Sequence, residues 1–230
     1  MPGTKEIRAK IASVKSTQKI TKAMQMVATS KMRRAQERMK LARPYAKRML
    51  EVIGHLTEAN PDYRHPFLVT REPKAVGIIV ISSDRGLAGA LNANVFRETL
   101  KMIREWQGKG VTVSLCLIGT KALNFFRRLS LPILANVTHL GDRPHVKDLI
   151  GTVKVMLDGY RKGELDRLLL VNAQFVNTMT QKPVVQQLLP IEALDTEGLQ
   201  EHWDYIYEPD AAGILDGLLM RYIESQVYRA

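Results

Sequence analysis

A single cysteine, Cys116, stands among 230 residues, which excludes an intrachain disulfide and leaves no set of thiolate metal ligands. No apolar run is long. The most hydrophobic, Val76 to Ile81, falls far short of the roughly 20 residues that cross a bilayer, so a soluble or peripheral chain is expected. The opening Met1-Pro2-Gly3-Thr4-Lys5-Glu6 has neither an apolar h-region nor an Arg- and Ser-rich, acid-free leader, so no secretory signal and no transit peptide are expected. Signature loops are missing too: Gly-x-Gly-x-x-Gly, Gly-Lys-Ser/Thr and Gly-x-Ser-x-Gly are all absent, which argues against a dinucleotide fingerprint, a P-loop and a hydrolase elbow. His55, His65, His139, His145 and His202 are scattered with no His-x-x-x-His pair. A zinc site is therefore not expected, and surface or capping histidines are.

Acidic residues are nearly absent from the first quarter. Residues 1–57 hold 14 Lys and Arg against only Glu6, Glu37 and Glu51, which accounts for the whole formal net charge of +11; the remaining 173 residues balance at 20 basic and 20 acidic. Through the same stretch runs an unbroken 4-3 spacing: Ile7, Ile11, Val14, Gln18, Thr21, Gln25, Ala28, Met32, Ala35, Met39, Ala42, Ala46, Met49, Ile53, Leu56. Seven heptads in register predict a coiled-coil helix over residues 1–57. At 1.5 Å per residue it would be on the order of 80 Å long and would project from the rest. Thr4 can cap its start, with Glu6 in the first turn facing the positive dipole end. Pro44 removes one helical hydrogen bond, yet the register passes it without a slip, so a kink is expected; a helix-turn-helix broken at Arg43-Pro44 is the alternative.

Small residues fill one seam row, at Thr21, Ala28, Ala35 and Ala42, which lets a partner backbone approach closely. Beside the seam, Ile20, Met24 and Val27 form a second apolar stripe, with Met26 nearby. A helix apolar on more than one side is enclosed by its surroundings; a locally broader core stripe is the plainer reading. The basic flank fits phosphates of nucleic acid or acidic lipid, or acidic protein partners around a coiled coil.

Asn60-Pro61, His65-Pro66 and Glu72-Pro73 punctuate a linker, after which the period changes. Strands are expected at 75–82, 111–118, 133–137, 167–175 and 183–189, and helices at 90–107, 121–129 and 146–160. This alternation predicts an α/β domain over 75–190 with a mostly parallel sheet, its last two strands forming an antiparallel edge. Residues 195–202 read as loop, and Trp203, Tyr205 and Tyr207 alternate like one strand face, as packing or as an aromatic docking patch. From residue 211, Ile214, Leu215, Leu218, Leu219, Tyr222, Gln226 and Val227 recur at helical spacing, and no Gly cap or Pro precedes Ala230. The 211–230 helix is therefore expected to be cut in mid-course and to pack antiparallel on roughly residues 39–56, with Leu215, Leu219 and Tyr222 meeting Met49 and Ile53. Ser82 to Asn92 leaves the first strand and enters a helix, where α/β folds place phosphate loops. Lacking the phosphate spacings, it reads first as a structural turn and second as an anion site. Cys116 is expected as a buried, small apolar residue on a strand.

These residues resemble one family: the gamma subunit of the F-type rotary ATP synthase. Ile20-Thr21-Lys22-Ala23-Met24-Gln25-Met26-Val27-Ala28-Thr29-Ser30-Lys31-Met32 is similar to its N-terminal signature, and Ser83-Asp84-Arg85-Gly86-Leu87-Ala88-Gly89-Ala90-Leu91-Asn92 to that of its Rossmann-like domain. Glu224-Ser225-Gln226-Val227-Tyr228 resembles the opening of its C-terminal signature. Ala88 stands where many bacterial members have Cys, and no Cys-bearing regulatory insertion of the chloroplast type is present. The resemblance implies a Rossmann-like, mostly parallel sheet with a long protruding antiparallel coiled coil made by N- and C-terminal helices, the second helix continuing beyond residue 230. It implies a non-catalytic rotor shaft of bacterial type, on the cytoplasmic face of the inner membrane, coupling proton-driven rotation to change at the catalytic sites. No cofactor, metal or nucleic acid is implied. The implied partners are the alpha and beta subunits around the rod, at Ile20, Lys22, Met24, Met26 and Val27, and the epsilon subunit and c-subunit ring, at Tyr205, Tyr207 and Glu208. A basic coiled-coil nucleic-acid binder with an α/β head, and an α/β enzyme using the Gly86 to Gly89 loop, are the competing readings.

Overall fold

A computed structural model describes residues 3–59, 65–141, 144–191 and 211–230. The chain divides into two compact units, Met1–Tyr45 and Ala46–Ala230. The first is helical from Thr4 onward, as part of α1 (Thr4–Ala59), which continues through Pro44 without a break. The helix-turn-helix alternative is thus set aside. Every residue from Gly3 to Lys31 is exposed.

The second unit is an α/β layer structure. Its elements run β1 (Ala75–Ile81), α2 (Leu91–Gly108), β2 (Thr112–Ile118), α3 (Thr120–Phe126), β3 (Ile133–Val137), α4 (Val146–Arg161), β4 (Arg167–Phe175), β5 (Gln181–Leu189) and α5 (Ala211–Arg229). A short 3-10 turn, Pro66–Leu68, sits before β1 in the stretch expected to be linker. The described strands form one sheet in the order β3-β2-β1-β4-β5. β1 pairs in parallel with β2 and β4, Ile78 facing Leu115 on one side and Leu169 on the other. β5 returns antiparallel on β4, with Val171 opposite Val185, the edge expected from the sequence.

β1 is apolar at nearly every position because it lies in the middle of the sheet with both faces covered. Its even-numbered residues Val76, Ile78 and Val80 share a core with Val95, Phe96 and Ile103 of α2 and Phe126 of α3. Ile79, on the opposite face, shares a second core with Val153, Met156 and Tyr160 of α4 and with Leu215, Leu219, Ile223 and Val227 of α5. Ile53 and Leu56, at the end of α1, are fully buried in that same core. α5 and the last turns of α1 thus share one core, with one change from expectation. Tyr222 is only half-buried while Ile223 is fully buried, so the buried stripe of α5 is Leu215, Leu219, Ile223 and Val227, an i, i+4 repeat.

Candidate functional site

Two stretches carry the chemistry singled out in the sequence. The first is the turn after β1, where the polar groups close on one another. Asp84 Oδ1 accepts hydrogen bonds from the Thr120 N–H (2.9 Å), the Thr120 hydroxyl (2.7 Å) and the His139 N–H (3.0 Å), and Oδ2 from the Leu140 N–H (2.8 Å). Burial pushes this carboxyl up, but the donors from Thr120, His139 and Leu140 outweigh it and hold it at about 2. The Ser83 N–H donates to Asn92 Oδ1 and the Asn92 amide returns a bond to Ser83 Oγ, which itself donates to Arg85 O. Ser82 Oγ accepts from the Ala122 N–H at 2.8 Å. Gly119, at φ 98°, passes so close that a Cβ there would lie 2.2 Å from Ser82 O; only glycine fits.

A cleft of about 320 Å³ adjoins this turn, lined by Ile81, Ser82, Asp84, Arg85, Leu140 and Val227 among others. The Ser82, Ser83 and Asp84 side chains that an anion or a reacting group would need are already spent on the fold. Asp84, held ionised by four donors, is neither a base in search of a proton nor a nucleophile. The turn is structural, tying the ends of β1, β2 and β3 together, as the absent phosphate spacings suggested. Leu87 stands fully exposed at its tip with φ 62°. Among the described residues no group of His, Cys, Asp and Glu could hold a metal ion. Cys116 is buried on β2, with its thiol pushed up to about 12 by burial, and so is inert at neutral pH.

The second stretch is the N-terminal part of α1. Ile20, Met24, Met26 and Val27 are 58%, 59%, 64% and 56% exposed, and Lys22 is exposed beside them. At about 100° per residue, Ile20, Met24 and Val27 share one face, the seam residues Gln18, Thr21, Gln25 and Ala28 the next, and Lys22 and Met26 a third. The five residues therefore do not form one patch; they surround the helix. Hydroxyls on this stretch turn inward on their own backbone: Thr17 donates to Ser13 O at 3.0 Å, Thr21 to Thr17 O at 2.9 Å and Thr29 to Gln25 O at 2.9 Å. A threonine so bonded can press its methyl against a partner without orphaning a donor. Val14, Gln18, Thr21, Lys22 and Gln25 line a shallow groove along the seam. Tyr205, Tyr207 and Glu208, with Trp203 and His202, lie outside the described residues.

A long helix with large apolar side chains on several exposed faces is what known relatives help to place. The family model described as ATP synthase matches residues 3–230. The ATP synthase gamma chain of Nitrosococcus oceani is 60% identical over 232 residues, covering 100% of this chain and 80% of that one. This chain belongs to the ATP synthase gamma family. The central stalk and c-ring structure of the Tetrahymena thermophila mitochondrial ATP synthase matches with a TM-score of 0.67 at 23% identity, covering 92% of this chain and 90% of that one; at that identity the likeness is one of fold. Nothing among these relatives supports the nucleic-acid reading of the basic helix. No described helix is long and apolar enough to cross a membrane.

The sequence missed two features of this region. In the sequence Asp84 is only part of a turn, because its partners lie 36, 55 and 56 residues ahead; the one signal is an acidic residue at the exit of a central strand. His65, expected at the surface or in a cap, does cap the 3-10 turn, but from a buried position.

Proposed function

We propose that this chain is the rotor shaft of a bacterial ATP synthase, coupling proton-driven rotation of a c-subunit ring to conformational change at catalytic sites on the beta subunits. In this reading Ile20, Lys22, Met24, Met26 and Val27 run against the surrounding alpha and beta subunits. The α/β unit stands on the c ring and holds epsilon, with Tyr205, Tyr207 and Glu208 on that side. The chain catalyses nothing itself and reaches the cytoplasmic face of the inner membrane only through the complex.

One observation carries this reading: α1 passes Pro44 unbroken while exposing large apolar side chains on more than one face of its N-terminal part. A helix with exposed apolar side chains on more than one side is expected to be enclosed by its surroundings. An enclosure that must let it turn favours non-directional contacts, and the inward-bonded threonines supply a surface without free hydroxyl donors at those positions. The excess of Lys and Arg keeps the shaft attracted to acidic surroundings without fixing one register, since ion pairs at wet surfaces are weak.

The test is assembly together with turnover. Tagged chain co-expressed with alpha and beta subunits should retain them through purification, and the chain alone should hydrolyse no Mg-ATP, having no P-loop lysine. Hydrolysis that follows the isolated chain through columns and vanishes on Asp84→Ala, or failure to retain alpha and beta, would overturn the proposal.

A further inference from the structure

Outside the turn after β1, His65 is a buried titratable group, 2% exposed. It stands where the chain passes from α1 to β1. Its Nδ1 accepts the Phe67 N–H at 3.1 Å, capping the 3-10 turn Pro66–Leu68. Its Nε2 lies 3.0 Å from Asp216 Oδ1 on α5. An imidazole that accepts at Nδ1 must carry its proton on Nε2, which then donates to Asp216, so both ring nitrogens are committed by the neutral form. Asp216 Oδ1 also accepts from Arg161 Nη2 at the end of α4, and the Arg161 guanidinium lies 5.2 Å over the Phe67 ring. Phe67 itself is fully buried, edge-on to His65 at 4.8 Å and to Tyr160 at 5.8 Å. The charged groups among the described residues that face the imidazole are Asp216 from α5 and Arg161 from α4. Ile53 and Leu56 of α1, which share a core with Phe67, are apolar.

We propose that His65 is a proton-operated anchor: neutral, it pins the 3-10 turn and Phe67 into the core between α4 and α5, and protonated, it releases the turn while keeping hold of Asp216. A second proton can go only to Nδ1, where it would point at the Phe67 N–H. Acceptor becomes donor, and a buried backbone N–H loses its partner, which the ring or the turn must relieve by moving. The Nε2–H to Asp216 bond survives and gains charge, so α5 stays held. Acid thus loosens the connection from α1 to β1 selectively and leaves the helix packing on the far side of the sheet untouched.

The ring's proton affinity agrees in direction. Burial lowers it below the ordinary histidine value, the Asp216 hydrogen bond and charge raise it, and the Arg161 charge lowers it, with burial prevailing. Since the folded form binds the proton more weakly than the unfolded chain, the stability His65 contributes is present above pH about 6.5 and is lost as pH falls from there toward the folded value.

The experiment is an NMR titration of the whole chain from pH 7.5 to 5, following the His65 ring protons, assigned through their contact with Phe67, and the exchange of the Phe67 amide corrected for intrinsic rate. His65 should titrate below pH 6.5, and Phe67 protection should fall at least tenfold in step with it while amides of α2 hold theirs. His65→Asn, whose amide oxygen can cap the same turn without titrating, should remove that pH dependence, whatever its absolute stability. Titration at or above pH 6.5, or Phe67 protection that does not change, would overturn the proposal, and both are read on the wild-type protein even if the variant does not fold.

Discussion

Asp84 and Gly119 together hold the ends of three strands. The Asp84 carboxylate occupies four donors, from Thr120, His139 and Leu140, and hydrogen bonds to a charged acceptor are worth more than neutral ones. Asp84→Ala should cost on the order of 3 kcal/mol of unfolding free energy, read from urea melts. Its pH dependence has a definite sign. Held at about 2, against roughly 3.9 for an unperturbed aspartate, the group stabilises the fold above the unfolded value and loses that contribution as pH falls through the folded one. The wild type should therefore lose stability between pH 4 and 2 more steeply than Asp84→Ala; equal slopes would mean the carboxylate is not held as described. Gly119→Ala should be worse than a helix glycine change. The new Cβ meets Ser82 O at 2.2 Å with the backbone at φ 98°, so a loss above about 2 kcal/mol is expected. A melt within 0.5 kcal/mol of wild type would show that the β1 and β2 ends do not approach this closely.

At the scale of elements, one helix has two regimes. Ile53, wholly buried among α4 and α5 residues, should lose about 2 to 5 kcal/mol on truncation to alanine, whereas Ile20→Ala, on an exposed stretch, should shift the stability of the chain by less than about 0.5 kcal/mol. Hydrogen exchange gives the same contrast without mutation. Residues 5–35 should exchange fast in the isolated chain, because a lone helix without tertiary packing is marginal, and slowly within the alpha–beta ring. Strong protection of that stretch in the isolated chain would contradict the account. Legibility in the sequence followed the same division. β3 and β4 matched at both ends, at Ile133–Val137 and Arg167–Phe175, because turn residues bracket apolar runs. β5 begins two residues earlier than its apolar signal, at Gln181; the first turns of an edge hairpin are held by pairing with β4, where Gln181 faces Phe175, and need no apolar side chains. α3 stops at Phe126 rather than near Leu129, and the 3-10 turn at Pro66 was invisible because three residues carry no period. The polar networks at Asp84 and His65 were illegible for another reason. Asp216 lies 151 residues from His65, and no local pattern encodes such a meeting.

For the whole molecule, the claim is mechanical. A shaft transmits torque through contacts that need not be tight, only asymmetric and apolar, and the N-terminal part of α1 carries large side chains at Ile20, Met24 and Val27 on one face and Met26 on another. Burying a charge in such a contact is costly, while at an exposed position of the free chain the same charge costs little. Met24→Lys separates the two. The most direct measurement is made on membrane-embedded ATP synthase assembled with this chain or its Met24→Lys variant, recording ATP hydrolysis and ATP-driven proton pumping in the same vesicles. The account predicts that the variant chain melts like wild type and assembles, that hydrolysis continues, and that protons pumped per ATP fall by at least about twofold, since one buried charge is worth several kcal/mol at the contact. An unchanged ratio of pumping to hydrolysis would contradict it.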